Sequence, residues 1–307
     1  MNPSFTAPAT ATRRRSCLGA LAFTLALALT SPPVFAASKA SIVVEGVQMP
    51  AWVERGGDRP VPLSPGMELR PNDQIKTGAG SRLLLRASDG SAIKLGENAT
   101  YKLDALQLQA GNLFEATMNV LEGAFRFTTD SFARSKQRRT VNIRIATVTA
   151  GVRGTDLWGK SDANKQVVCL IEGRIEVTPP GEAAIAMDQP MQFYVRENGR
   201  SQPVATVPAE QLRVWSAETE IQAGRGAMRS GGKWKITLGS ADTQEAALKL
   251  YDDVRRSGYA ATILPVAEGD KRAYRVRLAN LPSKAEADAL AAHLKGRFGT
   301  EEPKVSM

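Results

Sequence analysis

The sequence predicts an all-β, sandwich-like or jelly-roll-like domain followed by a small α+β domain. Two observations support this fold class. Between residues 42 and 207, short β-prone runs alternate with turn signals and show little helical periodicity. From residue 234 to the C-terminus, a unit made of a strand and a capped helix occurs twice. With 307 residues, 43% hydrophobic and 23% charged, the composition is that of a globular protein with room for two domains.

Residues 1–36 have the pattern of a secretory signal peptide. Arginines at positions 13–15 precede an apolar run over residues 18–29, and small residues follow up to Ala36. The apolar run of about 12 residues is shorter than the ~20 that span a bilayer, which disfavours a retained membrane anchor. We therefore expect cleavage after Ala36 and a mature periplasmic protein without an integral membrane span. The sequence leaves the Sec and twin-arginine export routes open.

Residues 37–207 are predicted to form the β domain. Residues 81–95 indicate a hairpin, because two β-prone runs flank the pair Asp89-Gly90, which suits a tight turn with positive φ. Three further runs alternate apolar or small with polar side chains, as half-buried strands do: residues 123–128, 141–145 and 174–177.

Two connecting segments follow the β domain. Residues 208–222 have a capping-type start and a helical spacing of Leu212, Trp215 and Thr219, which predicts a helical segment that closes the β domain. Residues 223–232 are rich in glycine and short polar residues, which predicts a flexible linker. The second domain, residues 233–307, is then expected at the end of a tether.

The C-terminal domain has the predicted order βαββαβ, an RNP-like arrangement with two helices on one face of a four-stranded antiparallel sheet. Residues 242–245 and 283–286 have the pattern of capping boxes, which predicts a helix start at each position. A further β-prone run follows each helix. The second face of the sheet is left uncovered by these helices.

Side-chain alternation assigns the two faces of this sheet. Four apolar residues share one parity and are expected to face the helices: Ile236, Leu238, Val276 and Leu278. The helices offer apolar stripes at Ala246, Leu250, Val254, Ala287, Leu290 and Leu294. The opposite parity forms a candidate binding surface with Lys235, Thr237, Arg275 and Arg277, together with Thr262 or Leu264 from the second strand.

Five phrases of the β domain occur in an ordered series. They are residues 73–81 (DQIKTGAGS), 88–91 (SDGS), 121–125 (LEGAF), 151–155 (GVRGT) and 171–177 (IEGRIEV). Together they resemble the periplasmic FecR domain over most of residues 45–195. The resemblance implies a β-sandwich or jelly-roll fold and, in the regulators that give the family its name, signalling across the inner membrane to a sigma factor. We find no counterpart of those regulators' cytoplasmic domain, so we expect an interaction module with an unknown envelope protein partner.

The C-terminal repeat is similar to the SPOR domain over nearly all of residues 233–305. The similarity lies in residues 234–240 (WKITLGS), 245–246 (EA), 258–259 (GY), 274–278 (YRVRL) and 286–287 (EA). The resemblance implies an RNP-like fold that binds peptidoglycan and prefers septal glycan strands stripped of stem peptides. Two positions depart from the family pattern: Ala241 stands where an aromatic residue is usual, and Ala279-Asn280 replaces a common Gly-Pro.

We therefore expect the uncovered sheet face to bind glycan, with Lys235, Thr237, Thr262, Arg275 and Arg277 as the binding residues. Long cationic donors beside hydroxyl groups suit the ring hydroxyls, N-acetyl carbonyls and lactyl carboxylates of a stripped strand. Charge alone leaves the alternative of an ordinary solvated sheet face open. Trp234 and Tyr274, at equivalent strand starts, are expected to pack at the sheet edge.

The sequence offers no support for catalysis, metal binding or a cofactor. The single histidine, His293, lies on the second helix of the repeat, and no cysteine or carboxylate cluster surrounds it at metal-ligand spacing. Cys169 lies in an apolar strand-like run and is expected to be buried and inert. Phosphate-binding loops and nucleophile elbows are also missing from the sequence.

Four classes of function compete, of which an autolysin-like enzyme is the weakest. The leading hypothesis is a non-enzymatic periplasmic protein that binds peptidoglycan and is enriched at the division septum. Removing residues 1–36 lowers the formal net charge from +9 to about +6, which suits an anionic surface. An envelope signalling protein of the sigma-regulator type is the alternative. A nucleic-acid binder is disfavoured, because RNA readers of this fold carry aromatic residues where Lys235, Arg275 and Arg277 stand here.

Overall fold

A computed structural model describes residues 40–109, 113–129, 138–268 and 271–307, and this part of the chain forms one compact unit. It contains two β-sheets and three helices. The predicted signal peptide, residues 1–36, lies outside the described residues. Among the described residues, none of the helices has the length and apolarity needed to cross a membrane.

Seventeen strands of the larger sheet lie within the described residues. In chain order they are β1 (Ile42–Gln48), β2 (Ala51–Glu54), β3 (Val61–Pro62), β4 (Glu68–Leu69), β5 (Gln74–Thr77), β6 (Arg82–Ala87), β7 (Ala92–Leu95), β8 (Thr100–Gln109), β9 (Leu113–Thr128), β10 (Arg138–Ile145), β11 (Val148–Ser161), β12 (Lys165–Thr178), β13 (Ile185–Met187), β14 (Gln192–Glu197), β15 (Arg200–Ser201), β16 (Ala205–Thr206) and β17 (Ala227–Arg229). Helix α1 (Ala209–Ala217) lies between β16 and β17. The predicted β-rich N-terminal region is confirmed.

Strand β1 has an organising position in this sheet. Strand β6 pairs along the whole of β1, and β4 and β17 pair with its first and second halves. Most neighbouring strands are antiparallel, whereas β9 and β10 run parallel. The hairpin predicted over residues 81–95 is present as β6 and β7, and Gly90 has a φ of +87° in its turn. The turn residues therefore set the local register as expected.

Alternating side chains build the core of the larger sheet. Along β2 and the first four residues of β1 and of β8, buried residues alternate with partly exposed ones, as the pleat of a strand requires. The largest fully buried side chains of this core are aromatic: Tyr101, Phe114, Phe125, Phe127 and Tyr194.

Helix α1 packs on a second, smaller apolar cluster. Trp215 of α1 stacks on Trp158 of β11, with ring centroids 4.9 Å apart and planes 6° from parallel. The Phe193 ring lies edge-on to the Trp215 ring, with ring centroids 5.9 Å apart. Cys169 is fully buried in this cluster, and burial raises the pKa of its thiol to about 12. This thiol is therefore kept protonated and away from solvent.

The smaller sheet and two helices form the C-terminal domain. Its elements are β18 (Trp234–Ala241), α2 (Gln244–Arg256), β19 (Thr262–Glu268), β20 (Lys271–Leu281), α3 (Lys284–Leu294) and β21 (Lys304–Ser306). The strand order is β19-β20-β18-β21, and all three pairings are antiparallel. The predicted small α+β domain is confirmed, with the order βαββαβ.

The two helix starts differ from each other. Ser283 caps α3 as expected, since its Oγ accepts from the Glu286 N–H at 3.2 Å. Helix α2 is capped by Thr243 instead of Asp242, because the Thr243 hydroxyl accepts from the Ala246 N–H at 3.2 Å. Threonine and aspartate are both good caps, so the local sequence does not choose between these neighbours.

The apolar stripe of α2 differs from the predicted one at a single position. Ala246, which was predicted to face the sheet, is exposed, and Ala247 is buried in its place. Val254 is buried and Leu250 is partly buried, as predicted. The predicted stripe of α3, Ala287, Leu290 and Leu294, is buried.

Strand β17 occupies part of the segment predicted to be a flexible linker, residues 223–232. Its residues Arg229, Met228 and Ala227 pair with Gly46, Val47 and Gln48 of β1, and Met228 and Ala227 are almost fully buried. The segment therefore adds a strand to the larger sheet instead of spanning solvent. A high glycine content indicates conformational freedom of the unfolded backbone. It does not indicate whether the backbone N–H and C=O groups find hydrogen-bond partners when the chain folds.

The partner of this segment is the carboxylate of Glu286 on α3. Its oxygens accept from the backbone N–H groups of Gly224, Gly226 and Ala227 at 2.7, 2.7 and 3.0 Å. The side chain is only 9% exposed. Gly226 has a φ of +80°, and a Cβ there would lie 2.6 Å from the Leu290 Cβ. The segment and α3 are thus fitted to each other.

We expect Trp215→Ala to destabilise the fold by about 2 kcal/mol, because it removes a stacked, mostly covered ring and leaves a cavity beside Trp158. Urea unfolding followed by circular dichroism measures the change. Val214→Ala is the control, since Val214 lies on the same helix and is 48% exposed. Equal unfolding midpoints for both variants would show that α1 does not stabilise the domain.

Glu286→Ala is expected to cost about 3 kcal/mol of stability, because it leaves backbone N–H donors without their charged acceptor. Trypsin should also cleave faster at Arg225 and Arg229 in this variant. Glu245→Ala is the matched control, since it removes the exposed first-turn glutamate of α2. A Glu286→Ala protein with unchanged unfolding and unchanged proteolysis would contradict the role given to this carboxylate.

Candidate functional site

The outer face of the smaller sheet brings several predicted residues together in one row. Thr237 of β18 lies opposite Arg277 of β20, and Arg277 lies opposite Thr262 of β19. Lys304 of β21 is the partner of Thr237 on its other side. With neighbouring strands ~4.8 Å apart, these residues span ~14 Å across the sheet. We call Lys304, Thr237, Arg277 and Thr262 the central row.

A second row crosses the sheet at Arg275. Its partners are Ser240 of β18 and Leu264 of β19. Lys235 is paired with Ser306 of β21 at the other end of β18. The sequence left open whether Thr262 or Leu264 belongs to the candidate surface. Both lie on the same face, opposite Arg277 and Arg275 respectively.

A β-bulge in β18 explains the position of Ser240. The register shifts between Thr237 and Gly239. Leu238 is 3% exposed, and a Cβ on Gly239 would lie 2.7 Å from the Leu250 Cδ2 on α2, so both residues face the helices. Strict alternation would have turned Ser240 inward, and the bulge turns it outward.

The assignment of faces from the sequence agrees with the burial of the side chains. The inward residues Ile236, Leu238, Val276 and Leu278 are between 0% and 3% exposed. Thr262 is exposed, and Lys235, Thr237, Arg275 and Arg277 are partly exposed. We call the outer surface formed by these five residues with Ser240 and Lys304 the open face.

The open face is cationic and rich in hydroxyl groups. Lysine and arginine side chains come from three of its strands, and hydroxyls stand beside the arginines in both rows. The Thr262 hydroxyl donates to the Arg277 carbonyl at 3.4 Å. Such a surface offers charged donors for carboxylates and neutral hydroxyls that both donate and accept.

Sequence reasoning missed Ser240 and Lys304. Lys304 belongs to a strand of three residues at the chain end, where the sequence predicts a β-prone run but no register. Ser240 depends on the bulge. The pair Gly239-Ser240 carried the available signal, because glycine inside a strand pattern often marks a bulge.

Chemistry of other kinds is not assembled near this face. Within the described residues, His, Cys, Asp and Glu side chains do not gather in threes that could hold a metal ion. His293 lies at the end of α3, where its Nε2 is 3.2 Å from the Tyr259 hydroxyl and 3.0 Å from the Arg297 Nη1. Partial burial and the nearby Arg297 charge lower the pKa of His293. Trp234 and Tyr274 pack against the apolar core.

Comparisons with known proteins identify two domains. The family model described as FecR protein matches residues 73–176, and the model described as SPOR domain matches residues 230–301. Among curated proteins, no relative was found. Two crystal structures of a candidate anti-sigma factor from Parabacteroides distasonis are 15% identical, with a TM-score of 0.38. The alignments cover 72% of this chain and 89% and 91% of those chains.

The two matches coincide with the structural division of the chain. The first covers β5 to nearly the end of β12 in the larger sheet, and the second covers α2, α3 and three of the four strands of the smaller sheet. Both agree with the resemblances found in the sequence motifs. The chain therefore combines a FecR domain, residues 73–176, with a C-terminal SPOR domain, residues 230–301.

Proposed function

We propose that this protein binds peptidoglycan glycan strands in the periplasm through the open face of its SPOR domain. A SPOR domain implies peptidoglycan binding, and both domains are binding or regulatory modules without catalytic function. The central row is the observation that carries the proposal at residue level, because it aligns a guanidinium between two hydroxyls across the sheet.

The chemistry of a stripped glycan strand complements this face. Each muramic acid that has lost its stem peptide carries a free lactyl carboxylate, and Arg275, Arg277, Lys235 and Lys304 supply the opposite charge. Arginine can bind a carboxylate with two parallel N–H donors. Where the stem peptide is present, the same carboxyl is an uncharged amide. The proposed preference for stem-peptide-poor, septal glycan follows from the free carboxylate at the lactyl group itself, next to the sugar ring, where an intact strand carries the bulk of a peptide.

The open face is oriented away from the contacts with the larger sheet. Those contacts reach the SPOR domain from its helix side, through Glu286 and Leu290 of α3 and through Gly258 after α2. The Ala51 N–H donates to the Gly258 carbonyl at 3.3 Å. The FecR domain is thus held beside the wall as an interaction module for an envelope partner, while the sheet face stays available for glycan.

We expect the double variant Arg275→Ala, Arg277→Ala to pellet with amidase-treated sacculi at least about tenfold more weakly than the wild type, because two charge-assisted contacts are lost. Co-sedimentation of the mature chain, with quantification of bound and free protein, measures the change. Raising the salt concentration should weaken wild-type binding more than that of the variant.

The matched control for this experiment is Lys249→Ala, Lys295→Ala. It removes the same charge from exposed positions in α2 and after α3. Binding by this control should equal that of the wild type, and untreated sacculi should retain less protein than amidase-treated ones. Equal pelleting by the folded arginine variant would move the glycan site off the open face.

Export is the second part of the proposal, with cleavage after Ala36. Mass spectrometry of the protein purified from the periplasm is expected to find Ala37 as the first residue. An intact N-terminus in the membrane fraction would favour the alternative function, an envelope signalling protein. That alternative draws its support from the FecR match over residues 73–176.

A further inference from the structure

A groove lies between the larger sheet and helix α2, on the side of the SPOR domain opposite its open face. Its volume is about 810 Å³, within the range of roughly 300–1,000 Å³ that small-ligand sites occupy. Strands β2, β3 and β5 form one wall, and the C-terminal half of α2 forms the other. The groove exists because the two domains are held together.

An aromatic side chain forms the apolar part of this groove. Along β2, Ala51 and Val53 are fully buried in the core, so Trp52 and Glu54 point to the outer face. One edge of the Trp52 indole lies against Gly258, and the ring remains partly exposed. A half-covered indole beside a cavity is a rigid platform for a flat apolar surface.

Donors and acceptors of both charges surround the indole. Lys76 lies opposite Trp52 in the register and pairs with Glu54 at 2.9 Å. Helix α2 contributes Asp252, Arg255 and Arg256, and the exposed Arg59 stands at the rim. The Arg255 guanidinium lies 5.1 Å from the centroid of the Tyr251 ring, and this contact orients it. Among the lining residues, cations outnumber acids.

This combination distinguishes between ligand classes. Glu54 and Asp252 supply acceptors and the arginines supply donors, and a sugar needs both for its hydroxyls. The excess of arginine and lysine adds a site for a carboxylate. A peptide could not extend the sheet along β3, since this strand of two residues ends in Pro62, which has no N–H to donate.

We propose that the groove binds a carboxylate-bearing saccharide, with a sugar ring on Trp52 and its carboxylate at Arg59 and Arg255. The identification of this saccharide as stripped wall glycan rests on the proposed function. One molecule would then hold two glycan segments, one on the open face and one in the groove, on opposite sides of the SPOR domain.

Calorimetric titration of the mature chain with soluble glycan oligomers from amidase-treated sacculi tests this proposal. The expected stoichiometry is two segments per wild-type protein, and one for Trp52→Ala, Arg59→Ala. Arg275→Ala, Arg277→Ala should also bind one, through the groove. If the first variant binds like the wild type, the groove site is refuted. If the second binds like the wild type while the first loses all binding, the groove stands and the open-face proposal fails.

Arg59→Ala alone guards against misfolding, because this exposed side chain can be removed without disturbing the packing of the core. It should weaken binding to the groove at least about threefold, with an unchanged melting temperature. The free stem peptide released by the amidase is the competing probe. If that peptide binds the groove and the glycan does not, the saccharide assignment is overturned.

The contact between the two domains can be changed by a substitution that leaves the charged residues of the groove in place. A Cβ at Gly258 would lie 2.6 Å from Pro50 Cβ and from Trp52 Cζ2, so Gly258→Ala should open the groove. Gly299→Ala is the control: its φ of +72° is equally strained for alanine, but no atom lies within 4 Å of the added carbon. The expected result is that only Gly258→Ala loses the groove site while both keep open-face binding. Groove binding retained by an undocked Gly258→Ala protein would refute the interdomain location.

Discussion

The buried carboxylate of Glu286 is the interaction on which the arrangement of the two domains depends. It belongs to the SPOR domain, yet its hydrogen-bond donors are backbone N–H groups at residues 224, 226 and 227 of the segment that leads into β17. Successive N–H groups that converge on one anion resemble the nests that bind free anions, here filled by a side chain. The same segment then pairs with β1, so one stretch of backbone contacts both the larger sheet and α3.

This connection changes what the chain can do with its two domains. A flexible tether would let the FecR domain explore a volume around its anchoring point, whereas β17 fixes it against the helix side of the SPOR domain. The contacts with the larger sheet then lie on the helix side, at α3 and just after α2, and the outer face of the smaller sheet stays uncovered. A partner of the FecR domain would be met at a defined distance from the wall, and the groove beside Trp52 arises from the same docking.

The sequence predicted the order of elements and the faces of the smaller sheet, because side-chain alternation is a local property that survives folding. The sequence-based prediction failed where residues with a local sequence pattern make contacts with residues distant in sequence. Ser283 and Glu286 have the spacing of a capping box, and nothing nearby in sequence indicates that the glutamate would turn to Gly224 and Gly226. Ser240 was missed because a bulge of one residue reverses the parity after Thr237.

The central claim is that glycan binds across the open face, and nuclear magnetic resonance tests it most directly. Backbone amide shifts of the mature chain would be followed during titration with soluble, amidase-trimmed glycan. The account predicts saturable shifts at Thr237, Ser240, Thr262, Arg275 and Arg277, with a separate set around Trp52. Shifts confined to surfaces other than the smaller sheet, with these residues unmoved at saturation, would contradict it.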